Sequence, residues 1–162
     1  MPCYAHNDIG LMTISRAGTA SVQAACPWPQ VSLAEYADIP NRVAFLREPH
    51  ARMEASYGLH LERSFDLPLE SFADFVSRVC TVWQTDPHIV GQFCQCHYGS
   101  TFLPTRIVKW DFEELAELLG IGPIAHLNKS RPRDCQWNDE TRELFDRVYA
   151  RDLEMWEDSP AA

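Results

Sequence analysis

Two short stretches carry the residue types that grip oxyanions. In "ISRAGTASVQ" (residues 14–23), Arg16 stands beside Ala17, Gly18, Thr19, Ala20 and Ser21, a run of small residues with two hydroxyls directly after the apolar "IGLMTI". At a helix start such a turn presents open backbone N–H groups, and amides, helix dipole and a fixed cation together bind phosphate. The same small residues also let a helix pack close to a strand, so both readings stand. The turn lacks the closing Gly-Lys-Ser/Thr of a Walker A loop, which counts against ATP or GTP hydrolysis and against a P-loop kinase. In "RVAFLREPHARMEASY" (residues 42–57), Arg47 ends a second apolar run, Pro49 suits a first helical turn, and Arg52, Ser56 and Tyr57 follow. A guanidinium at a strand tip donates in a planar fork, and with a hydroxyl two helical turns later it can hold a second phosphate.

Several other groups could do chemistry. A general base near neutral pH is most readily an imidazole. His88 in "DPHIVGQ" is the first candidate, with His50 and His60 next, while Glu48 suits a helix cap. Lys129, Arg131 and Arg133 in "NKSRPRD" form the densest basic cluster, either a loop that closes over an anion or a solvated one. "CQCH" (residues 94–97), with Cys3 and His6 as completions, offers soft ligands but lacks the paired C-x2-C knuckles of common zinc sites, so no metal is expected. Among the five tryptophans, Trp28 lies between two prolines and is the best candidate for an exposed stacking surface.

The elements that must position these residues alternate. Residues 9–15 and 42–47 read as buried parallel strands, each feeding a helix, and residues 105–110 as a third strand. Met53, Tyr57 and Leu61 repeat at a spacing of four after Pro49. Phe72, Phe75, Val76, Val79 and Trp83 form a helical stripe behind Ser71, a plausible N-cap. Asp111 and Glu114 fit a capping box, with Gly120 or Gly122 ending that helix. A last helix is expected over residues 139–156, with a frayed tail over about 158–162. Strand and helix in alternation predict an α/β fold, with helices around a small central parallel sheet, and ligands of such sheets bind at the carboxyl ends of the strands.

The 162 residues, 46% of them apolar, suit a single compact domain over 1–162. A formal charge of −9 argues against nucleic acid and anionic membranes as partners. No stretch approaches a membrane span and the N-terminus does not resemble a signal peptide, so a cytoplasmic location is expected. The six cysteines are irregularly spaced and read as reduced thiols.

Taken together, the two turns resemble the sulfotransferases that use 3'-phosphoadenosine 5'-phosphosulfate (PAPS), in which a Pro-Lys-Thr-Gly-Thr-Thr-Ser loop holds the 5'-phosphosulfate and an Arg-Asp-Pro, followed by an arginine and Ser-x-Tyr, holds the 3'-phosphate. "DPHIVGQ" is similar to the His-x-x-x-Gln segment of the carbohydrate-type branch, "TRIVKWDFEELAELLGI" to its strand and acidic-started helix, "HLNKS" to its Asn-x-Ser segment, and "ELFDRVYARDLEMW" to its closing Tyr-x-x-Asp helix. The order holds from residue 9 to about 156. The resemblance implies a P-loop-like three-layer α/β/α fold and metal-free transfer of a sulfuryl group from PAPS to a hydroxyl acceptor, a carbohydrate in that branch. It implies Arg16 and residues 17–21 on the 5'-phosphosulfate, Arg47 and Ser56 on the 3'-phosphate, Lys129, Arg131 and Arg133 over the cofactor, and Arg16 and His88 as catalytic residues.

The departures bear on catalysis. Arg16 replaces the loop lysine and can stabilise charge without acting as an acid. Ala20 stands where a phosphate-binding Thr is usual, and Ala55 where the serine is expected, with Ser56 about 100° further around a helix. The acceptor-binding region is short. A non-catalytic nucleotide-binding or assembly module is therefore the competing expectation, and the acceptor and oligomeric state, including completion of the site by a second subunit, stay open.

Overall fold

The computed structural model describes residues 1–62, 71–82, 88–127 and 134–159. Trp83, Lys129, Arg131 and Arg133 lie outside the described residues. Seven strands, β1 (Cys3–His6), β2 (Ile9–Thr13), β3 (Gln30–Val31), β4 (Asn41–Leu46), β5 (His97–Tyr98), β6 (Thr101–Phe102) and β7 (Arg106–Lys109), and eight helices are described. The helices are α1 (Thr19–Ala25), α2 (Leu33–Ala37), α3 (Pro49–Glu62), α4 (Phe72–Thr81), α5 (Gln92–Gln95), α6 (Phe112–Leu119), α7 (Asp139–Val148) and α8 (Ala150–Asp158).

Five strands form one sheet in the order β3-β1-β2-β4-β7. The three expected strands are its parallel part, with Met12 opposite Ala44 and Ala44 opposite Ile107. The sheet is not wholly parallel: β1 pairs antiparallel with both β2 and β3. Its tight connection to β2 passes through Asn7 at φ 54°, a left-handed position that Asn tolerates better than most residues. The fold is thus mixed α/β with a five-stranded mixed sheet. No helix among the described residues is long and apolar enough to cross a membrane.

Alternation along the buried strands explains their near-continuous apolar sequence. Leu11, Val43, Phe45 and Val108 face Val22 and Leu115 on one side of the sheet, whereas Met12, Ala44 and Leu46 pack with Tyr36, Leu103 and Met155 on the other. Both faces carry helices, an arrangement compatible with three layers. A third cluster joins Met53 and Tyr57 to Phe72, Phe75, Val76, Val79, Phe145 and Tyr149, uniting α3, α4 and α7. Trp28 is buried with the first cluster and stacks on His6 at 5.5 Å, so it is a core residue and not an exposed stacking surface. Leu61 is 39% exposed, off the face that Met53 and Tyr57 share.

Helix ends follow local chemistry. Ser71 Oγ accepts from the Asp74 amide and Glu48 accepts from the amides of His50 and Ala51, so both expected caps are in place. Asp111 accepts from the Glu113 and Glu114 amides, but the Glu114 carboxylate is bonded to Arg106, so the reciprocal half of the expected box is not made. Gly120 ends α6 at φ 62°. The expected last helix is two, broken at Tyr149; of the expected tail, Asp158 ends α8 and Ser159 is buried and donates to the Met155 carbonyl, while residues 160–162 lie outside the described residues. All six cysteines are free, and burial pushes the Cys3 and Cys80 thiols up to about 11 and the Cys96 thiol up to about 12.

His50 fastens α3 to α7: Nδ1 meets Glu48 Oε1 at 2.9 Å and Nε2 meets Asp146 Oδ1 at 2.8 Å. The Glu48 bond, opposed by burial and aided by Asp146, raises the imidazole pKa above its ordinary 6.5. A group raised in the native state stabilises fully below its unfolded value and loses that contribution as pH rises through its native one. Thermal denaturation of the wild type should therefore show a melting temperature that falls as pH rises above about 6.5, and His50→Gln should flatten that fall.

Candidate functional site

The carboxyl ends of β2, β4 and β7 open onto one cavity of about 320 Å³, lined by Ser15, Arg16, Gly18, Thr19, Ala20, Ser21, Gln23, Arg47, Leu59, His88, Trp110, His126 and Leu127. That volume is at the lower end of the roughly 300–1,000 Å³ usual for small-molecule sites. The two arginine-bearing turns and His88, with Arg16 and His88 72 residues apart in the chain, meet on its wall.

The first turn is shaped by close approach. Gly18 has φ 79°, and a Cβ there would come within 2.6 Å of Phe112 Cζ and 3.2 Å of Trp110 Nε1. Only glycine suits both demands. Arg16 is itself left-handed, at φ 68°, and its guanidinium reaches α3 to donate to the Ala55 carbonyl. Ala17 does not line the cavity: it is buried, and its amide donates to the Ile14 carbonyl at 3.0 Å. Thr19 Oγ1 donates to the same carbonyl at 2.9 Å, which leaves its lone pairs as acceptors rather than its proton for an anion. The buried Ser21 hydroxyl accepts from the Leu127 amide at 2.8 Å and so ties α1 to the segment from which Lys129, Arg131 and Arg133 follow in sequence.

Arg47 follows β4. Burial first, and then repulsion from Arg16, lower its pKa to about 10, against the opposing pull of Glu54 and Glu48. The group remains a cation at neutral pH. Its Nε is buried and has no hydrogen-bond partner among the described residues, while its Cζ lies 4.0 Å from the Trp110 ring centroid. Two guanidinium groups that repel each other on one cavity wall, one of them with a buried N–H left over, are a site that an anion relieves.

Segment 88–93 holds this wall in place. Ser56 Oγ donates to the His88 carbonyl at 3.0 Å, Tyr149 Oη to the Ile89 carbonyl at 2.9 Å, and Arg52 Nη2 to the Val90 carbonyl at 3.0 Å. Arg52 Nε also donates to the Ser15 carbonyl at 2.9 Å, so one buried side chain joins this segment to the glycine turn. Asp152 accepts from the Gln92 amide at 2.7 Å and the Phe93 amide at 2.9 Å. The Gln92 side chain is fully buried; it accepts from the Arg47 amide and donates to the Arg47 carbonyl. Burial pushes the Asp152 carboxyl up, and the two amides and Arg52 oppose that push.

Ser56 is thus not a wall residue. Its buried hydroxyl is shared between the Arg52 carbonyl of its own helix at 2.9 Å and the His88 carbonyl at 3.0 Å, because residue 56 sits on the side of α3 turned to the protein interior. His88 itself lines the cavity, whereas His50 is held between two carboxylates outside it and the buried His60 packs on Phe75 at 5.2 Å. Among the described residues no three His, Cys, Asp or Glu side chains come together to hold a metal. Trp110, His126, Leu59 and Gln23 join the wall without having been singled out for it. Trp110 was legible in one respect, since it directly follows a strand at the edge where ligands bind.

Comparison with family profiles, with characterised proteins and with solved structures gives no match.

The Asp152 clasp is directly testable. Asp152→Asn must turn its NH2 toward one of the two amides it now accepts from, so chemical denaturation should show a loss of about 1–3 kcal/mol. Unchanged stability would remove Asp152 from the account of this segment.

Proposed function

We propose that this protein binds a phosphorylated adenosine nucleotide of the PAPS type and moves its sulfuryl group to a hydroxyl acceptor, as a short sulfotransferase-like enzyme. The observation that carries the reading is the pairing of Arg16 and Arg47 on one cavity wall, with Arg47 partly buried and its Nε without a hydrogen-bond partner among the described residues. The residue patterns that resemble the family support it further, because they converge in space. Arg52 and Ser56 after the second turn, His88 and Gln92, and Tyr149 and Asp152 all meet in segment 88–93.

In this reading Arg16 neutralises the 5'-phosphosulfate beside the amides of residues 18–20, and Arg47 takes the 3'-phosphate. Ala17 and Ser56 drop out of direct contact, and Ser21 acts through Leu127. When bound, PAPS supplies an activated sulfuryl group: the acceptor oxygen bonds to sulfur as the sulfur–oxygen bridge to the 5'-phosphate breaks, and the bridging oxygen leaves with the electron pair. His88 accepts the acceptor's proton through its imidazole, and the carbonyl bond from Ser56 fixes the backbone that carries it. Arg16 offers charge but no transferable proton at neutral pH, so it stabilises the departing phosphate without protonating it. A carbohydrate hydroxyl is the acceptor class the resemblance supports.

The competing reading is a nucleotide-binding module without turnover. It draws on Arg16 in place of lysine and on the hydrogen bond that engages Arg16 with the Ala55 carbonyl.

Calorimetric titration with 3'-phosphoadenosine 5'-phosphate should give micromolar binding, with ADP and AMP markedly weaker, and Arg47→Ala should weaken it about 10- to 100-fold. With an acceptor in hand, His88→Gln should lower turnover about 10²- to 10⁴-fold with nucleotide affinity kept, the range for loss of a general base. Equal turnover in that variant removes the base role; absence of nucleotide binding in the wild type removes the enzyme reading.

A further inference from the structure

Trp110 is an unusual residue to find where it is. It sits immediately after β7 with φ 38°, a left-handed conformation that a bulky aromatic side chain occupies only under constraint. The constraint is visible. The Trp110 amide donates to the Leu46 carbonyl at 2.8 Å, its ring lies edge-on to His126 at 5.2 Å, and it packs on Phe112 at 6.0 Å. The indole Nε1 is buried against the Gly18 turn and makes no hydrogen bond among the described residues. No described residue uses the polar end of this side chain. What the ring does offer is its face, which lies under the Arg47 guanidinium with Cζ 4.0 Å from the centroid.

Arg47 needs such a support. Its backbone is clasped by Gln92, yet its Nε has no hydrogen-bond partner among the described residues, and Arg16 repels it. A planar cation stacked on an indole keeps its plane while its N–H edge stays available, which an ion pair with a carboxylate would not allow.

We propose that Trp110 is a positioning residue: its indole face holds the Arg47 guanidinium in the plane in which it donates to an anionic phosphoryl group in the cavity. This deepens the nucleotide reading and rests on it only for the identity of the anion's parent molecule. Affinity for the anion should follow the aromatic face and not the indole N–H.

The test uses inorganic pyrophosphate and 3'-phosphoadenosine 5'-phosphate as probes, titrated into the wild type, Trp110→Phe, Trp110→Leu, Arg47→Ala and the Trp110→Leu/Arg47→Ala double variant. Trp110→Leu should weaken pyrophosphate binding about 5- to 30-fold, the range for losing a partly desolvated cation–π contact, whereas Trp110→Phe should stay within about threefold of wild type. In the Arg47→Ala background, Trp110→Leu should change the residual affinity by less than about twofold, because the ring then has no guanidinium to hold.

Three results overturn the proposal: a Trp110→Leu protein that binds like wild type, a loss of the same size with Arg47 already removed, or a wild type that does not bind pyrophosphate. If Trp110→Leu fails to fold, Trp110→Phe decides, since a loss as large as that of Arg47→Ala contradicts a role for the ring face. Pyrophosphate binding that follows these expectations without any preference for the nucleotide would keep the positioning role and end the sulfotransferase reading.

Discussion

The structure depends on satisfying the backbone of one buried, irregular segment. Residues 88–91 lie outside the regular elements at the rim of the cavity and lead into the first turn of α5, so their carbonyls and the open amides of that turn take side-chain partners. Ser56 and Arg52 from α3 and Tyr149 and Asp152 from the α7–α8 break supply them. That requirement explains the break itself, since it falls at Tyr149, whose hydroxyl reaches Ile89 while Asp152, one turn on, reaches the amides of residues 92 and 93. It also explains Gly91, where a Cβ would stand 2.8 Å from an Asp152 oxygen.

From that anchored segment the cavity follows. His88 is carried to the wall, Gln92 clasps the Arg47 backbone, and Arg52 ties the segment to Ser15 in the glycine turn. The result concentrates positive charge locally on a chain whose net charge is −9.

Much of this was legible in the residues. The apolar runs of β2, β4 and β7, both turns, Pro49, Ser71 and Gly120 gave local signals strong enough to place the elements, and the rule that ligands sit at strand carboxyl ends brought Arg16 and Arg47 together. The antiparallel β1 was not read, because "CYAH" is short and polar at its end and owes its strand to pairing with β2. Which hydroxyls are free was not legible either. Ser56 and Ser21 have the right type and spacing for anion contact, yet the direction in which a helix presents each residue spends them on His88 and Leu127. The role of Trp110 was hidden for the opposite reason, since a tryptophan after a strand reads as core, and only the guanidinium stacked on it and its strained backbone give it another purpose.

The central claim is that the Arg16 and Arg47 turns form one binding site for the two phosphate-bearing ends of a single nucleotide. A crystal structure of the protein soaked with 3'-phosphoadenosine 5'-phosphate tests it most directly. The account predicts density in the cavity with the 5'-phosphate at Arg16 and the glycine turn, and the 3'-phosphate at Arg47. Nucleotide bound elsewhere, or bound with its phosphates turned away from both arginines, would contradict it.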